Sequence, residues 1–299
     1  MISSFIVAFL GYACAAVVAI LDKFILTSEV RKPAIYAFYS TILFAVVFVL
    51  FPWASTIQLK DFGWMFTSGM AFGFGIWTMF IALKHGEASH IAPFIGAIVA
   101  ISTFLLSYLI LGESLNFLAK LGILVLIGAS LLLSFEKSRS QSPLYKGFVW
   151  AAVSGILFGL SHVSAKYIYG LYPFLTSLMW TKGTTALVGL IAICSPGVLH
   201  GIRSNKNTGK SKTQSKIGII FASKALGAVS LVLIQYSIAL GSVTIINALA
   251  GIQYALMFIF IYLLTRFFPR LFKEYFTRRE LLVESGSIIL MVIGLFLLS

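Results

Sequence analysis

Residues 88–111 read ASHIAPFIGAIVAISTFLLSYLIL, a stretch of 24 residues without a single Asp, Glu, Lys or Arg. About 20 apolar residues in a helix are enough to cross the roughly 30 Å hydrocarbon core of a bilayer. A helix is favoured because it satisfies its own backbone hydrogen bonds, whereas barrel strands would be shorter and would alternate in polarity. The stretch therefore predicts a transmembrane helix.

The rest of the chain repeats this pattern. Its 299 residues are 60% hydrophobic and 10% charged, whereas a soluble domain is roughly 45–50% apolar and about 25% charged. The sequence predicts an all-α, multi-pass membrane protein whose partner is the lipid bilayer. Ten transmembrane helices are predicted, over residues 3–26, 34–52, 62–83, 88–111, 116–135, 147–169, 173–199, 217–240, 243–265 and 282–299.

The basic residues are unevenly distributed between the two sides. Of the 22 Lys and Arg residues, seventeen fall in or within one turn of the connections after helices 1, 3, 5, 7 and 9, and two fall in or close to the connections on the other side. Basic connections stay in the cytoplasm, so the loop 200–216 is expected inside and both termini outside the plasma (inner) membrane. The mixed aromatic and basic segment 267–280 is expected to lie along the inner interface. Because membrane orientation explains the charge of +13, no nucleic-acid partner is expected.

Enzymatic chemistry is not expected from the motifs. The chain has no P-loop, no H-E-x-x-H and no G-x-S-x-G, which would mark nucleotide, zinc and acyl-transfer sites. Its two cysteines, Cys14 and Cys194, lie in separate apolar blocks without the spacing of metal ligands. We expect no catalytic residues, no metal and no cofactor.

The chain also repeats itself internally. The interval from Ala8 to Lys23 recurs from Ala151 to Lys166, and an Ile-Ala-Leu triplet closes both helix 3 and helix 8. The predicted division is a first five-helix repeat over 1–135, a cytoplasmic linker over 136–146 and a second repeat over 147–299. Because five is odd, the second repeat should insert upside down. Inverted repeats are typical of secondary transporters, whose solute site lies between the halves near mid-membrane.

Several of these residues carry a family resemblance. The run Ala82-Leu83-Lys84-His85-Gly86-Glu87-Ala88-Ser89 precedes a helix that contains Pro93 and ends Leu111-Gly112-Glu113. Gly122 and Gly128 follow in helix 5. The sequence resembles the EamA-type carriers of the drug/metabolite transporter superfamily, and the resemblance implies a ten-helix carrier that works by alternating access. The second half departs from it at Thr265-Arg266, and the outside termini depart from the usual family orientation.

The lysines inside the predicted spans include Lys166, Lys182 and Lys224. A charge at this depth costs at least about 2.5 kcal/mol on insertion scales. One interpretation is a basic cavity in which Lys182 and Lys224 bind a carboxylate or phosphate group. The other is that the lysines extend to the interface, pair with Asp22 or backbone carbonyls, or stay neutral.

Other side chains in the spans are candidates for a solute site, although each also has a packing explanation. His162 lies one helical turn before Lys166 and could bind solute or carry a proton. Interhelix hydrogen bonds would account equally well for the amides, and aromatic packing for the rings. The remaining candidates are Gln235, Asn247, Gln253, Trp77, Trp180, Tyr39 and Tyr254.

The functional prediction is a secondary transporter that uses no ATP, for small organic metabolites, leaning to amino acids or other anionic or zwitterionic solutes. A lipid or lipid-precursor flippase of the same superfamily and a non-transporting membrane scaffold or receptor are the alternatives. A monomer or a homodimer would be compatible with the sequence. The small-residue pairs Gly69/Gly73, Gly155/Gly159 and Ala92/Gly96 should let helix backbones approach closely.

Overall fold

The computed structural model describes residues 2–26, 33–86, 88–134, 144–194, 198, 214–267 and 278–298, and these residues form helices without any strand. The first half contains α1 (Ile2–Leu26), α2 (Pro33–Ile42), α3 (Phe62–His85), α4 (Ala88–Leu106) and α5 (Phe117–Ser134). The second half contains α6 (Leu144–Leu171), α7 (Phe174–Gly183), α8 (Ala186–Ile193), α9 (Gln214–Leu240), α10 (Val243–Ala248), α11 (Ala250–Phe267) and α12 (Arg278–Leu298). The linker residues 136–143 and most of the segment 267–280 lie outside the described residues.

Four of the predicted spans are not uniform α-helices. Helix α2 continues as a 3₁₀ helix over Leu43–Trp53, and α4 ends in a π-helical turn over Ser107–Leu111. The predicted span 173–199 consists of α7 and α8, separated by the turn Thr184–Thr185, and the span 243–265 is divided into α10 and α11 at Leu249. The spans therefore lie where the apolar blocks place them, but two of them consist of two shorter helices.

Most of the described helical segments are suited to span a membrane. Eight described segments are long and apolar enough to cross a bilayer. Helices α7 and α8 have only 10 and 8 residues. The apolar part of α12, Leu282–Leu298, is also shorter than any of the eight segments. The predictions of an all-helical fold and of a multi-pass membrane protein are confirmed, while the count of ten spans stays a prediction.

Local signals explain how two of the connections are made. Ser242 accepts a hydrogen bond from the amide of Ile245, 3.1 Å from its Oγ, and so caps the start of α10 directly after Gly241. Asn116 starts α5 in the same way, because its Oδ1 accepts from the amide of Ala119 at 2.7 Å. Gly112 has a φ of 64°, a conformation that glycine adopts readily, and it ends the π-helical turn.

The contacts between the halves occur in matching pairs. Helix α3 packs on α6, as α1 packs on α9; α4 packs on α6, as α1 packs on α11. Two further contacts join equivalent helices of the two halves. α5 packs against α12. α2 packs against α8, and the 3₁₀ helix that follows α2 packs against α7. Every helix of this set finds its main partner in the other half, so the two halves enclose a common centre.

Small residues permit the closest of these crossings, as predicted. A Cβ added to Gly155 would lie 2.6 Å from Cβ of Ile98 on α4, and one added to Gly69 would collide with Thr184. Gly96 instead leaves room for the ring of Tyr254, whose Cε2 would be 2.8 Å from an added Cβ. The glycines therefore set the spacing of α3, α4 and α6 from their neighbours.

The connection that leads into α3 is fastened to the junction of α6 and α7. The hydroxyl of Tyr172 donates to Oδ2 of the buried Asp61 at 2.8 Å and accepts from the amide of Gln58 at 3.0 Å. The amide of Ser55 donates to Oγ1 of Thr176 at 3.0 Å. These bonds hold the connection 54–61 against the start of α7.

We expect Tyr172→Phe to lower the unfolding temperature of the protein, because it leaves the buried Asp61 carboxylate without its hydroxyl donor. Thermal unfolding of the detergent-solubilised protein measures the effect. The matched control is Tyr108→Phe, since Tyr108 is 65% exposed. Equal unfolding temperatures for both variants would contradict a stabilising role of the Tyr172 hydroxyl.

Candidate functional site: a central cavity

A cavity of about 410 Å³ lies between the two halves. Its walls come from α1, α3 and α4 of the first half and from α6, α9, α10 and α11 of the second. Small-molecule sites usually have volumes of about 300–1,000 Å³. The cavity therefore has room for one small organic molecule.

The lining is mainly apolar, with a few uncharged polar groups. Phe72 and Phe158 contribute aromatic rings, and none of the described residues along the cavity is Asp, Glu, Lys or Arg. Such a surface can surround an apolar body and hold its polar ends by hydrogen bonds. The polar lining residues are Tyr12, His162, Ser230, Gln235, Asn247, Gln253 and Tyr254.

His162 and Asn247 form a polar pair on the wall. His162 Nδ1 and Asn247 Nδ2 are buried and have no hydrogen-bond partner among the described residues. Leaving a buried polar group without a partner costs about 1–3 kcal/mol. A solute that bonds to either atom would recover part of that free energy, so this pair is the best-placed polar contact for a ligand.

The break between α10 and α11 lies beside this pair. Asn247 and Ala250 line the cavity on either side of the break at Leu249, and Gln253 and Tyr254 follow one turn later. The hydroxyl of Tyr12 donates to the carbonyl of Ile246 at 2.9 Å, which fixes α10 to α1. Interrupted helices of this kind commonly form solute sites in transporters.

Hydrogen bonds join α6 and α9 at one end of the cavity. The Tyr169 hydroxyl donates to Oε1 of Gln235 at 2.8 Å. Lys166 Nζ donates to the carbonyls of Ile238 and Ala239, at 2.9 and 3.0 Å, where the negative end of the α9 dipole favours a cation. Of the interpretations given for Lys166, carbonyl pairing is the one that the structure shows.

The same end is reinforced beside α10. Thr244 Oγ1 donates to Oε2 of Glu113 at 2.9 Å and lies 2.6 Å from Ser107 Oγ. The opposite end of the cavity reaches Leu83 and Ala92, which lie close to the connection between α3 and α4. Hydrogen bonds therefore join the helices near the Gln235 end of the cavity, and the lining extends the other way to Leu83 and Ala92.

The two lysines predicted to share a cavity are placed apart. Lys182 is fully buried on α7, outside the cavity lining, with its Nζ 4.0 Å from the centre of the Phe72 ring. Lys224 is exposed on α9, and the lining on that helix begins one turn later, at Gly227. The prediction that Lys182 and Lys224 line one basic cavity is therefore corrected, because neither lysine belongs to the cavity lining. The predicted alternative partner, Asp22, has a side chain outside the described part of the chain.

The other predicted residues divide into two groups. His162, Gln235, Asn247, Gln253 and Tyr254 all line the cavity. Trp180 instead donates from Nε1 to the carbonyl of Ser55 at 3.1 Å, Trp77 stacks on Phe74 with ring centres 6.4 Å apart, and Tyr39 is exposed on α2. The sequence reasoning missed Tyr12, Phe72, Phe158 and Ser230, which also line the cavity.

Comparisons with known proteins agree with this architecture. Residues 2–135 match the EamA-like transporter family. A solved chain described only as "Crystal structure of protein" aligns with 99% of this chain and 97% of its own length, with a TM-score of 0.67 and 18% sequence identity. At that identity the likeness concerns the fold alone. The search of curated proteins gives no match.

The family match covers α1 to α5, the whole first half of the bundle. EamA-like proteins are transporters of the drug/metabolite transporter superfamily. The resemblance carried by the residues from Ala82 to Gly128 is thereby confirmed. Residues 2–135 of this chain are therefore similar to the EamA-like transporter family.

Proposed function

We propose that this protein is a secondary transporter, without ATP hydrolysis, that moves small organic metabolites across the plasma (inner) membrane by alternating access. The observation that carries the proposal is the 410 Å³ cavity, whose walls come from both halves of the bundle. A solute held between two halves can be exposed to either side when the halves rock against each other. The cavity would then be the solute site.

We further propose that the halves, residues 1–135 and 147–299, are repeats inserted in opposite directions. The matching pairs of contacts support this, because α3 with α6 and α1 with α9 are the pairs that a two-fold relation would interchange. The interrupted helices support it as well. The second span of the first half changes from α2 to a 3₁₀ helix, and the second span of the other half is divided into α7 and α8. Such a relation provides two equivalent conformations, one open to each side.

The lining favours amino acids or related solutes that carry both a charged group and an apolar body. Amide side chains such as Gln253 and Asn247 can donate to a carboxylate and accept from an ammonium group. The rings of Phe72, Phe158 and Tyr254 supply apolar surface, and aromatic faces also attract cations. These contacts suit a zwitterion or a monocarboxylate better than a highly charged solute.

The extent of the cavity supports an assignment of the side from which the solute enters in this conformation. The cavity extends towards the connection between α3 and α4, which belongs to the basic side of the protein. With basic connections in the cytoplasm, this would be the conformation open to the inside, and the termini would lie outside. Rupture of the Lys166 and Gln235 bonds would then accompany opening of the other side.

Counterflow into proteoliposomes tests the function. Vesicles loaded with unlabelled solute are diluted into labelled solute for each of phenylalanine, leucine, glutamate, 3-phenylpropionate and glycerol 3-phosphate. We expect transient accumulation of the labelled phenylalanine or 3-phenylpropionate above that in protein-free vesicles. If no solute of the panel accumulates, the proposed transport of amino acids and related anions is wrong.

A further inference from the structure

Lys182 is the most unusual charged residue of the described chain. It is fully buried, and its Nζ has no hydrogen-bond partner among the described residues. It lies in the last turn of α7, where the negative end of the helix dipole favours a positive charge. The position is thus suited to an ammonium group but supplies no counter-ion.

Two of the described carboxylates have partners of their own. Asp61 is bound by Tyr172, and Glu113 is bound by Thr244. The Nζ of Lys182 lies 4.0 Å from the centre of the Phe72 ring. An aromatic face attracts a cation, but it does not replace the hydrogen bonds that an ammonium group makes in water.

Phe72 separates Lys182 from the cavity. The ring lines the cavity, whereas Lys182 does not. Its neighbours are the rings of Phe158, Phe44 and His162, whose centres are 5.3, 5.5 and 6.2 Å away. A change of the Phe72 side-chain rotamer would therefore expose the ammonium group beside His162, on the wall where Asn247 also lies.

The backbones around this pair leave little freedom for another route. α7 and α8 are pressed against α3 at Gly69 and Gly73, where an added Cβ would collide with Thr184 and Val188. Because the helices are in contact through glycines, Lys182 cannot approach the cavity by a small shift of α7. Movement of the Phe72 ring is the smaller change.

We propose that Lys182 and Phe72 form a gated carboxylate subsite at the edge of the cavity. In the empty carrier the Phe72 ring covers the ammonium group of Lys182. A solute carboxylate displaces the ring and takes its place on Nζ, while the apolar body of the solute contacts the displaced ring and Phe158. The subsite rests on the proposed function, and it narrows the preferred solutes to monocarboxylates with an apolar body, amino acids included.

A matched pair of solutes tests the subsite. Binding of 3-phenylpropionate and of its neutral amide, 3-phenylpropionamide, is measured by calorimetric titration of the detergent-solubilised full chain. We expect Lys182→Met to weaken binding of the carboxylate by about tenfold or more and to leave binding of the amide within about twofold. Lys182→Arg should keep most of the carboxylate affinity, because the positive charge remains.

Two further variants separate the subsite from a general effect on the fold. Phe72→Leu should remove the preference for solutes with an aromatic body, seen as equal binding of 3-phenylpropionate and hexanoate. Lys120→Met removes an exposed lysine on α5 and should leave both affinities unchanged. Size-exclusion profiles and unfolding temperatures identify any variant that fails to fold, and Lys182→Arg then provides the comparison with the wild type.

The outcomes are distinguishable. Equal carboxylate affinity in the wild type and Lys182→Met would overturn the subsite, while counterflow by the wild type would leave the carrier function in place. A parallel loss of carboxylate and amide binding would also overturn it, since that pattern indicates a purely structural lysine. A wild type that neither binds nor transports any member of the panel would overturn the proposed function and the subsite together.

Discussion

Gly227→Phe is expected to reduce counterflow by at least about tenfold, equivalent to about 1.4 kcal/mol, without lowering the unfolding temperature. Gly227 lines the cavity, and a Cβ at this position would meet only Val18, at 3.9 Å. A phenyl ring can therefore occupy the space of the solute without displacing the backbone. Counterflow of labelled phenylalanine in proteoliposomes is the measurement.

The control for this variant is Gly128→Phe. Gly128 lies on α5, outside the cavity lining, and an added Cβ there meets nothing within 4 Å. This variant should transport at the rate of the wild type. Full transport by Gly227→Phe, with normal expression and folding, would show that solute does not pass through the cavity.

Gly155→Leu is expected to destabilise the protein by about 1–3 kcal/mol or more, because it overpacks a close helix crossing. An added Cβ would lie 2.6 Å from both Cβ and Cγ2 of Ile98 and 3.1 Å from the carbonyl of Ile95. The backbone of α4 would have to move away from α6. Thermal unfolding in detergent measures the loss.

Gly128→Leu serves as the comparison, since it adds the same side chain where space is open. We expect its unfolding temperature to equal that of the wild type or to exceed it slightly, because leucine favours a helix more than glycine does. If Gly155→Leu unfolds at the same temperature as Gly128→Leu, the contact between α4 and α6 is looser than described.

Helix positions could be predicted from the sequence because the bilayer sets a simple length requirement. The apolar block at 88–111 becomes α4 and its π-helical turn, and 62–83 becomes most of α3. The break at Leu249 could not be predicted, because that residue is neither proline nor glycine, whereas the break at Thr184–Thr185 directly follows Gly183, the last residue of α7. These breaks depend on tertiary contacts such as the bond from Tyr12 to Ile246.

The polar part of the cavity was more accessible to sequence reasoning than its apolar part. An uncharged polar residue in a span needs a partner, so His162, Gln235, Asn247 and Gln253 are conspicuous. Phe72 is not, because a membrane helix is apolar both towards lipid and towards its neighbours and has no amphipathic pattern. Nothing in the sequence separates Phe72 from the outward-facing Phe66.

The two lysines show that the position of a residue along its span does not predict its burial. Lys182 and Lys224 lie at similar distances from the ends of their spans, yet one is fully buried and the other is exposed. A lysine side chain is long enough to extend along apolar surface to the interface. Distance along the helix therefore does not decide whether a lysine faces the interior, and only the rotation of the helix does.

Thiol labelling tests most directly whether the cavity is a solute pathway. Cys14 and Cys194 are replaced by Ala, and a single cysteine is introduced either at Ala19, which lines the cavity, or at Ala129, which is buried in α5. A charged, water-soluble thiol reagent is applied to the purified protein, with and without solute. We predict that Ala19→Cys is labelled, that a transported solute slows the labelling, and that Ala129→Cys is not labelled. Absence of labelling at Ala19→Cys, or a rate that no solute changes, would contradict a water-filled solute site between the two halves.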